Sequence, residues 1–222
     1  MERLRRLSGG LLALLYPSRA VCMGCDSQSG FPREWLCEEC RVKLAERWVG
    51  AAQPPQGGLF DGAAYAYRYS GPAGGLVRNL KYRGVWRLAE PMGRDMARAF
   101  EAIQPTGADC LVPVPMHPKR LRDRGFNHAE ALAKQAAAQL ELPVLGALER
   151  IRNTRQQARL TDEERLTNVT DAFALTLDVA GRRAILVDDV HTTGATTDAC
   201  AATLRRGGAE AVYLLCYAVA KE

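Results

Sequence analysis

The stretch RAILVDDVHTTGATTDAC, Arg183 to Cys200, decides the fold. Its apolar run Ala184, Ile185, Leu186, Val187 lacks polar alternation, the pattern of a strand buried on both faces at the centre of a parallel sheet. Asp188 and Asp189 follow at the expected strand end. His191, Thr192, Thr193, Gly194, Ala195, Thr196 and Thr197 then make a tight turn into a helical pattern through Leu204. In an open α/β sheet, ligands bind beyond the carboxyl ends of the strands, where helix N-termini present free N–H groups to anions. Threonine hydroxyls and successive amides can donate several hydrogen bonds to one phosphate, and Gly194 removes the Cβ that would hold it away. The turn reads as a phosphate cradle, with the two carboxylates as acceptors for neighbouring hydroxyls. A sugar phosphate suits that pairing better than a nucleoside triphosphate, because no G-x-x-x-x-G-K-[ST] run supplies a P-loop lysine and no G-x-G-x-x-G opens a helix. An ordinary strand-turn-helix with acidic and threonine caps is the plainer reading of the same residues.

Upstream, Asp109 to Val114 reads as a second buried strand, ended by Pro113 and Pro115, which cannot donate to a ladder. Beyond it Lys119, Arg120, Arg122 and Arg124 crowd into what reads as a loop, broken by Gly125, and Asn127 reads as the N-cap of a long alanine-rich helix. So basic a segment at a strand's carboxyl end suits a diphosphate, which guanidinium groups grip bidentately. A solvated charge run is the alternative. His117 and His128 can each bond a phosphate oxygen, but a lone histidine on a helix face, as His128 would be, is more often structural.

Leu142 to Leu145 and Phe173 to Leu177 read as short strands, and Ala211 to Tyr217 as the last one. Between the first two, Arg150 to Asn168 is polar on all sides and reads as a loop or lid whose cations Arg150, Arg152, Arg155 and Arg159 can close over an anion. Strands alternate with helices from Asp109 onward, which predicts a parallel sheet with right-handed crossovers. Nearer the N-terminus, Gly62 to Tyr69 reads as a strand, and Gly71 to Tyr82 and Trp86 to Ala102 as helices. The patch Lys81, Tyr82, Arg83 can serve phosphate or single-stranded nucleic acid, or can be no more than a solvated helix end beside a core tyrosine.

Two C-x-x-C pairs, Cys22 with Cys25 and Cys37 with Cys40, can close a tetrahedral thiolate site, with zinc the expected occupant and Trp35 near the sulfurs. Two disulfides and a redox pair are the alternatives. Cys110, Cys200 and Cys216 sit in apolar or helical surroundings and read as core fillers. Ala51 to Gly58, AAQPPQGG, has linker composition, which divides the chain into an N-terminal helix with a zinc ribbon, residues 1–50, and a main domain, residues 59–222.

With 47% hydrophobic residues, the 222-residue chain can bury a real core, and a formal charge of +5 suits anionic ligands. The run Leu11 to Leu15 is too short to span a bilayer. It reads as a short amphipathic helix in a cytoplasmic protein, with a signal-peptide core as the alternative.

VDDVHTTGAT resembles the PRPP-binding motif of type I phosphoribosyltransferases. Together with the C-x-x-C pair, LVRNLKYRG, VPVPMHPKRLRDRGFNHAEALA and RNTRQQARLT, it resembles the ComF family, the ComFC-type proteins of bacterial competence, over nearly the whole chain and in the family's order. The resemblance implies an α/β fold of the type I phosphoribosyltransferase kind with a small N-terminal four-cysteine zinc ribbon. It also implies PRPP with magnesium as ligand and a role in DNA uptake or natural transformation, with single-stranded DNA and a competence helicase as candidate partners. By carry-over, Asp188 and Asp189 would hold the ribose hydroxyls and serve catalysis. Thr192, Thr193, Gly194, Ala195 and Thr196 would hold the 5′-phosphate, and His117, Arg120 and Arg124 would face the diphosphate. The family commonly has glutamine at the position of His128, to which no role is carried. Many relatives carry the label amidophosphoribosyltransferase, but this sequence has no N-terminal glutaminase domain for that reaction. If catalysis occurs, diphosphate leaves C1 of the ribose through a cationic transition state. A non-catalytic PRPP-sensing or DNA-binding module on the same fold is the alternative function.

Overall fold

The computed structural model describes residues 21–28, 35–103, 107–151 and 172–220. Its strands are β1 (Trp48–Ala52), β2 (Gly62–Arg68), β3 (Cys110–Pro113), β4 (Leu148–Arg150), β5 (Phe173–Leu175), β6 (Arg183–His191) and β7 (Ala211–Val219). The helices are α1 (Glu38–Ala45), α2 (Gly71–Tyr82), α3 (Ala89–Glu101), α4 (Pro118–Arg124), α5 (His128–Leu140) and α6 (Ala195–Arg206), with a 3₁₀ turn over Trp86–Leu88.

Strand β6 is buried on both faces, as its unbroken apolar run requires. Ile185 and Val187 face a core built with α2, α3 and α5, while Ala184 and Leu186 face a second core containing Cys200 and Leu204 of α6. Strand β7 repeats the division, with Tyr213, Leu215 and Tyr217 on the first side and Val212, Leu214 and Cys216 on the second. Each fully buried leucine or isoleucine contributes on the order of 1.5–3 kcal/mol, so these two strands anchor the fold. The sheet order is β1-β2-β7-β6-β3, with the last four strands parallel and β1 antiparallel at the edge. Cys110, Cys200 and Cys216 are buried in the second core, as their surroundings in the sequence indicate.

Several elements differ from the sequence reading. Strand β6 continues four residues past Val187, because β7 keeps pairing with it as far as His191 opposite Val219. The stretch read as a linker begins inside β1, where Ala51 and Ala52 pair with Ala64 and Ala63. Leu142 to Leu145 makes only one parallel bridge, Val144 to Leu111. Phe173–Leu175 joins a separate hairpin with β4 instead of the main sheet. The basic run after His117 is helix α4, begun by Pro118 and stopped by left-handed Gly125. Leu11 to Leu15, Arg152, Arg155, Arg159 and the rest of the expected lid beyond Ile151 lie outside the described residues.

The cysteine segment packs directly on this body, and Cys22, Leu36, Cys40 and Leu44 share the first core. Helix α2 touches it through a glycine: a Cβ on Gly75 would lie 2.1 Å from the Gly24 carbonyl oxygen. Alanine would gain about 1 kcal/mol of helix propensity there, but the clash with rigid backbone costs more. Gly75→Ala is therefore expected to lower stability by about 1–3 kcal/mol, read as a fall in the urea midpoint.

Candidate functional site

The carboxyl ends of β3 and β6 open into a cleft of about 260 Å³. Its walls come from Val114, Pro115 and Met116 after β3, Asp188 to Val190 of β6, Lys81 and Tyr82 at the end of α2, Arg120 and Arg124 of α4, Asn127, His128 of α5, Arg150 of β4, and Thr192 and Thr196. Of two larger cavities, one of about 700 Å³ shares no lining residue with this cleft and one of about 580 Å³ adjoins it at Asn127.

Beside the cleft the turn after β6 encloses a pocket of about 60 Å³ lined by Asp188, Val190 and His191 to Thr197. Gly194 stands at φ 83°, the left-handed region, and caps α6. A Cβ there would sit 3.0 Å from Asp198 Oδ2 and 3.2 Å from His191 Cε1. The Gly194 carbonyl accepts from Thr197 Oγ1 at 2.8 Å and from the Asp198 amide at 2.8 Å, which fixes the turn. Thr192, Thr193 and Ala195 remain exposed, and Thr196 half-exposed, at the N-terminus of a twelve-residue helix. A helix N-terminus of this kind favours negative charge.

The two aspartates differ sharply. Asp189 is only 2% exposed. Lys81 Nζ lies 2.8 Å from its Oδ1 and His128 Nε2 lies 2.8 Å from its Oδ2, the latter without the alignment of a good hydrogen bond. Burial pushes the Asp189 carboxyl up, but the close His128 ring and the Lys81 ammonium outweigh it and hold the group below the usual carboxylate range. Asp188 keeps part of its surface open to the cleft, and its Oδ1 accepts from the Asp189 amide at 2.8 Å. Burial first, and the neighbouring Asp189 charge second, raise its pKa to about 7. One carboxylate is thus locked into the protein and the other is presented to the cleft.

Of the residues singled out in the sequence, the structure brings Asp188, Asp189, Arg120, Arg124, Thr192 and Thr196 to one cleft, with Thr193, Gly194 and Ala195 in the adjoining turn. His117 does not line the cleft. Its Nδ1 caps α4 by accepting from the Lys119 amide at 3.2 Å. The patch Lys81, Tyr82, Arg83 is divided. Lys81 turns inward to Asp189 and Arg83 pairs with Asp26, while Tyr82 stays 70% exposed with the Arg124 guanidinium 5.1 Å from its ring centroid. The sequence reading weighed Lys81 and His128 for phosphate or nucleic acid and missed their shared partner, Asp189. A lysine in the last turn of a helix with a buried face was the available signal for the first.

The four cysteines converge as well. All four sulfurs lie within 4.8 Å of one another, and Cys25 Sγ is 3.9 Å from Cys37 Sγ. Sulfurs about 2.3 Å from one tetrahedral ion stand about 3.8 Å apart, whereas a disulfide holds them at about 2.05 Å. The Gly24 and Cys37 amides point at Cys22 Sγ at 3.4 and 3.3 Å, as amides do toward a thiolate. The set fits a metal ion.

Residues 125–221 match the phosphoribosyl transferase domain, a segment that contains Asn127, His128, both aspartates and the Gly194 turn. DNA utilization protein YhgH of Escherichia coli (strain K12) is 31% identical over 206 residues, 88% of this chain and 88% of that protein. The chain belongs to the ComF family. Competence protein F of Haemophilus influenzae is 29% identical over 207 residues, covering 86% of this chain and 87% of its own length. Competence protein ComFC of Bacillus subtilis is 27% identical over 210 residues, covering 89% and 82%. A purine phosphoribosyltransferase from Pyrococcus horikoshii Ot3 overlays 61% of this ComF chain and 74% of its own at 14% identity, with a TM-score of 0.38, too low to bear on the site. Among the described residues no helix is long and apolar enough to cross a membrane.

The unlike aspartates predict opposite effects on stability. Asp188, raised to about 7, keeps a proton in the folded state that the unfolded chain has lost, so its contribution is full below about pH 4 and is lost as pH rises through 7. Asp189, held low, contributes stability above the ordinary carboxylate range and loses it as pH falls through its folded value. Asp188→Asn is therefore expected to raise Tm at pH 8 by about 2–4 °C, the equivalent of about 1 kcal/mol, with the gain vanishing near pH 4. Asp189→Asn is expected to lower Tm at pH 8, and calorimetry across pH checks both.

Proposed function

We propose that the cleft binds PRPP with magnesium, that the chain is a phosphoribosyltransferase-like protein of the cytoplasm, and that it acts in DNA uptake for natural transformation. The observation that carries the ligand reading is the left-handed Gly194 turn, which opens α6 six residues after Asp188, the aspartate that faces the cleft. In this reading the amides and hydroxyls of Thr192 to Thr196 hold the 5′-phosphate, and Asp188 accepts from the ribose hydroxyls. Asp189 orders the cleft through Lys81 and His128, and Arg120 and Arg124 receive the diphosphate. Magnesium, when bound, would be held beside the open carboxylate of Asp188 and would supply positive charge to the leaving diphosphate. The chain's own contribution is positioning and fixed positive charge: the C1–O bond breaks, diphosphate departs toward the arginines, and an acceptor attacks C1 without a protein nucleophile. In the same reading the four cysteines hold one zinc in a closed, structural site that folds the segment around it.

A second reading, PRPP sensing without turnover, draws support from one continuous path. Asp189 holds Lys81, Lys81 ends α2, and α2 touches the cysteine segment at Gly75 and Gly24. A release assay for diphosphate across nucleobase acceptors separates the two, since release supports transfer and tight binding without release supports sensing.

Removing one charge-assisted acceptor from the cleft costs about 1.5–3 kcal/mol. Titration calorimetry of a folded Asp188→Asn variant should thus show PRPP affinity in magnesium weakened at least about tenfold, and unchanged affinity would refute the ligand assignment. Wild-type affinity should rise from about pH 6 to pH 8 as Asp188 gives up its proton. Metal analysis should find about one zinc per chain, lost from a Cys37→Ser, Cys40→Ser variant.

A further inference from the structure

A second cleft, of about 580 Å³, lies beside the first and shares Asn127 with it. Its apolar lining is Trp35, Trp86, Leu121 and Phe126. Trp86 is 62% exposed and Leu121 41% exposed, unusual for such large side chains in a chain with two well-filled cores. On one rim stands α4, which buries none of its seven residues and carries Lys119, Arg120, Arg122 and Arg124 against the single acid Asp123. On another, the Arg87 guanidinium sits 5.4 Å from the Trp86 ring centroid. The two acids that line the cleft already have cationic partners, Glu130 with Lys134 at 2.6 Å and Glu90 with Arg94 at 4.0 Å. Between the two clefts Tyr82 presents a further exposed ring beneath Arg124.

Aromatic faces flanked by cations match one chemistry. Bases of a single strand stack on the rings without regard to sequence, while the backbone follows the cations. A duplex hides its base faces, and an acidic protein segment has no use for the open Trp86 ring. We infer that the Trp35, Trp86, Leu121 and Phe126 cleft binds the bases of single-stranded nucleic acid, with Lys119 and Arg122 of α4, which do not line the first cleft, carrying its phosphates. This rests on the DNA-uptake reading and gives it a place. It also moves the contact away from Lys81 and Arg83, which are committed to Asp189 and Asp26.

The test uses the full chain and a labelled dT12 oligonucleotide, followed by fluorescence anisotropy over a salt series. An abasic strand of the same length and a glutamate peptide of matched charge serve as competitors. Trp86→Ala, at an exposed position, should weaken dT12 binding by roughly tenfold and leave PRPP affinity unchanged, while Trp86→Phe should retain most of the binding. Leu121→Glu, which sets a carboxylate among the phosphates, should weaken it as well, so the outcome does not hang on one variant. The abasic strand and the peptide should compete poorly. If wild type binds dT12 but Trp86→Ala and Leu121→Glu bind it equally well, the cleft assignment is wrong and the DNA reading stands. If the abasic strand or the peptide competes as well as dT12, base stacking is wrong. If wild type does not bind dT12 even at low salt, direct DNA contact fails along with the cleft, and PRPP binding is untouched.

Discussion

Asp189 is the group on which the arrangement of the cleft depends. A carboxylate 2% exposed must be neutralised where it stands, and its neighbours come from distant parts of the chain: Lys81 from the end of α2 and His128 from the start of α5. These contacts tie both helices to the carboxyl end of β6. They also explain why two adjacent aspartates behave differently. The charge of Asp189 is compensated by the protein, and that fixed charge, added to burial, makes the ionisation of Asp188 costly. A polar ligand that supplies hydroxyl donors or a cation lowers this cost. Ligand binding and the ionisation of Asp188 are therefore linked.

Much of this was legible in the sequence. Ala184 to Val187 announced a strand covered on both faces, because only such a strand has no polar alternation, and Gly194 announced a turn that a Cβ would disturb. Asn127 was read as an N-cap, and its Oδ1 accepts from the Ala129 amide at 3.1 Å. What escaped was decided by partners far along the chain. Lys81 and His128 looked like a solvated cation and a helix-face histidine because nothing local points to a carboxylate 108 or 61 residues away. Trp48–Ala52 ends in two alanines that run into prolines, which reads as linker until β2 is there to pair with it. Phe173–Leu175 has the composition of a strand, but composition does not say which sheet it joins. Helix α4 is a different case. Pro118 and Gly125 are ordinary start and stop signals, and the crowd of charges between them concealed a short helix with nothing to bury.

The cysteine segment and the cleft meet in α2. One end of that helix comes so close to Gly24 that no side chain fits between them, and its other end delivers Lys81 to Asp189. Small residues near the start of the helix allow the approach, and a long cationic one at its end uses it. A rigid helix of twelve residues transmits displacement at either end with little loss, since packed interiors do not deform gradually.

The outer strand β1 bears on how the protein behaves at high concentration. A parallel sheet that ended at β2 would offer a seven-residue row of unpaired amides and carbonyls to any passing chain. The five-residue strand β1 covers that row, and directly after it the chain reads Gln53, Pro54, Pro55, where two consecutive residues lack a donor. An incoming strand finds a short template that cannot be lengthened. The edge thus resists intermolecular β-pairing and the aggregation it seeds, and the sheet can hold its binding loops at one end without becoming a nucleus for fibres at its side.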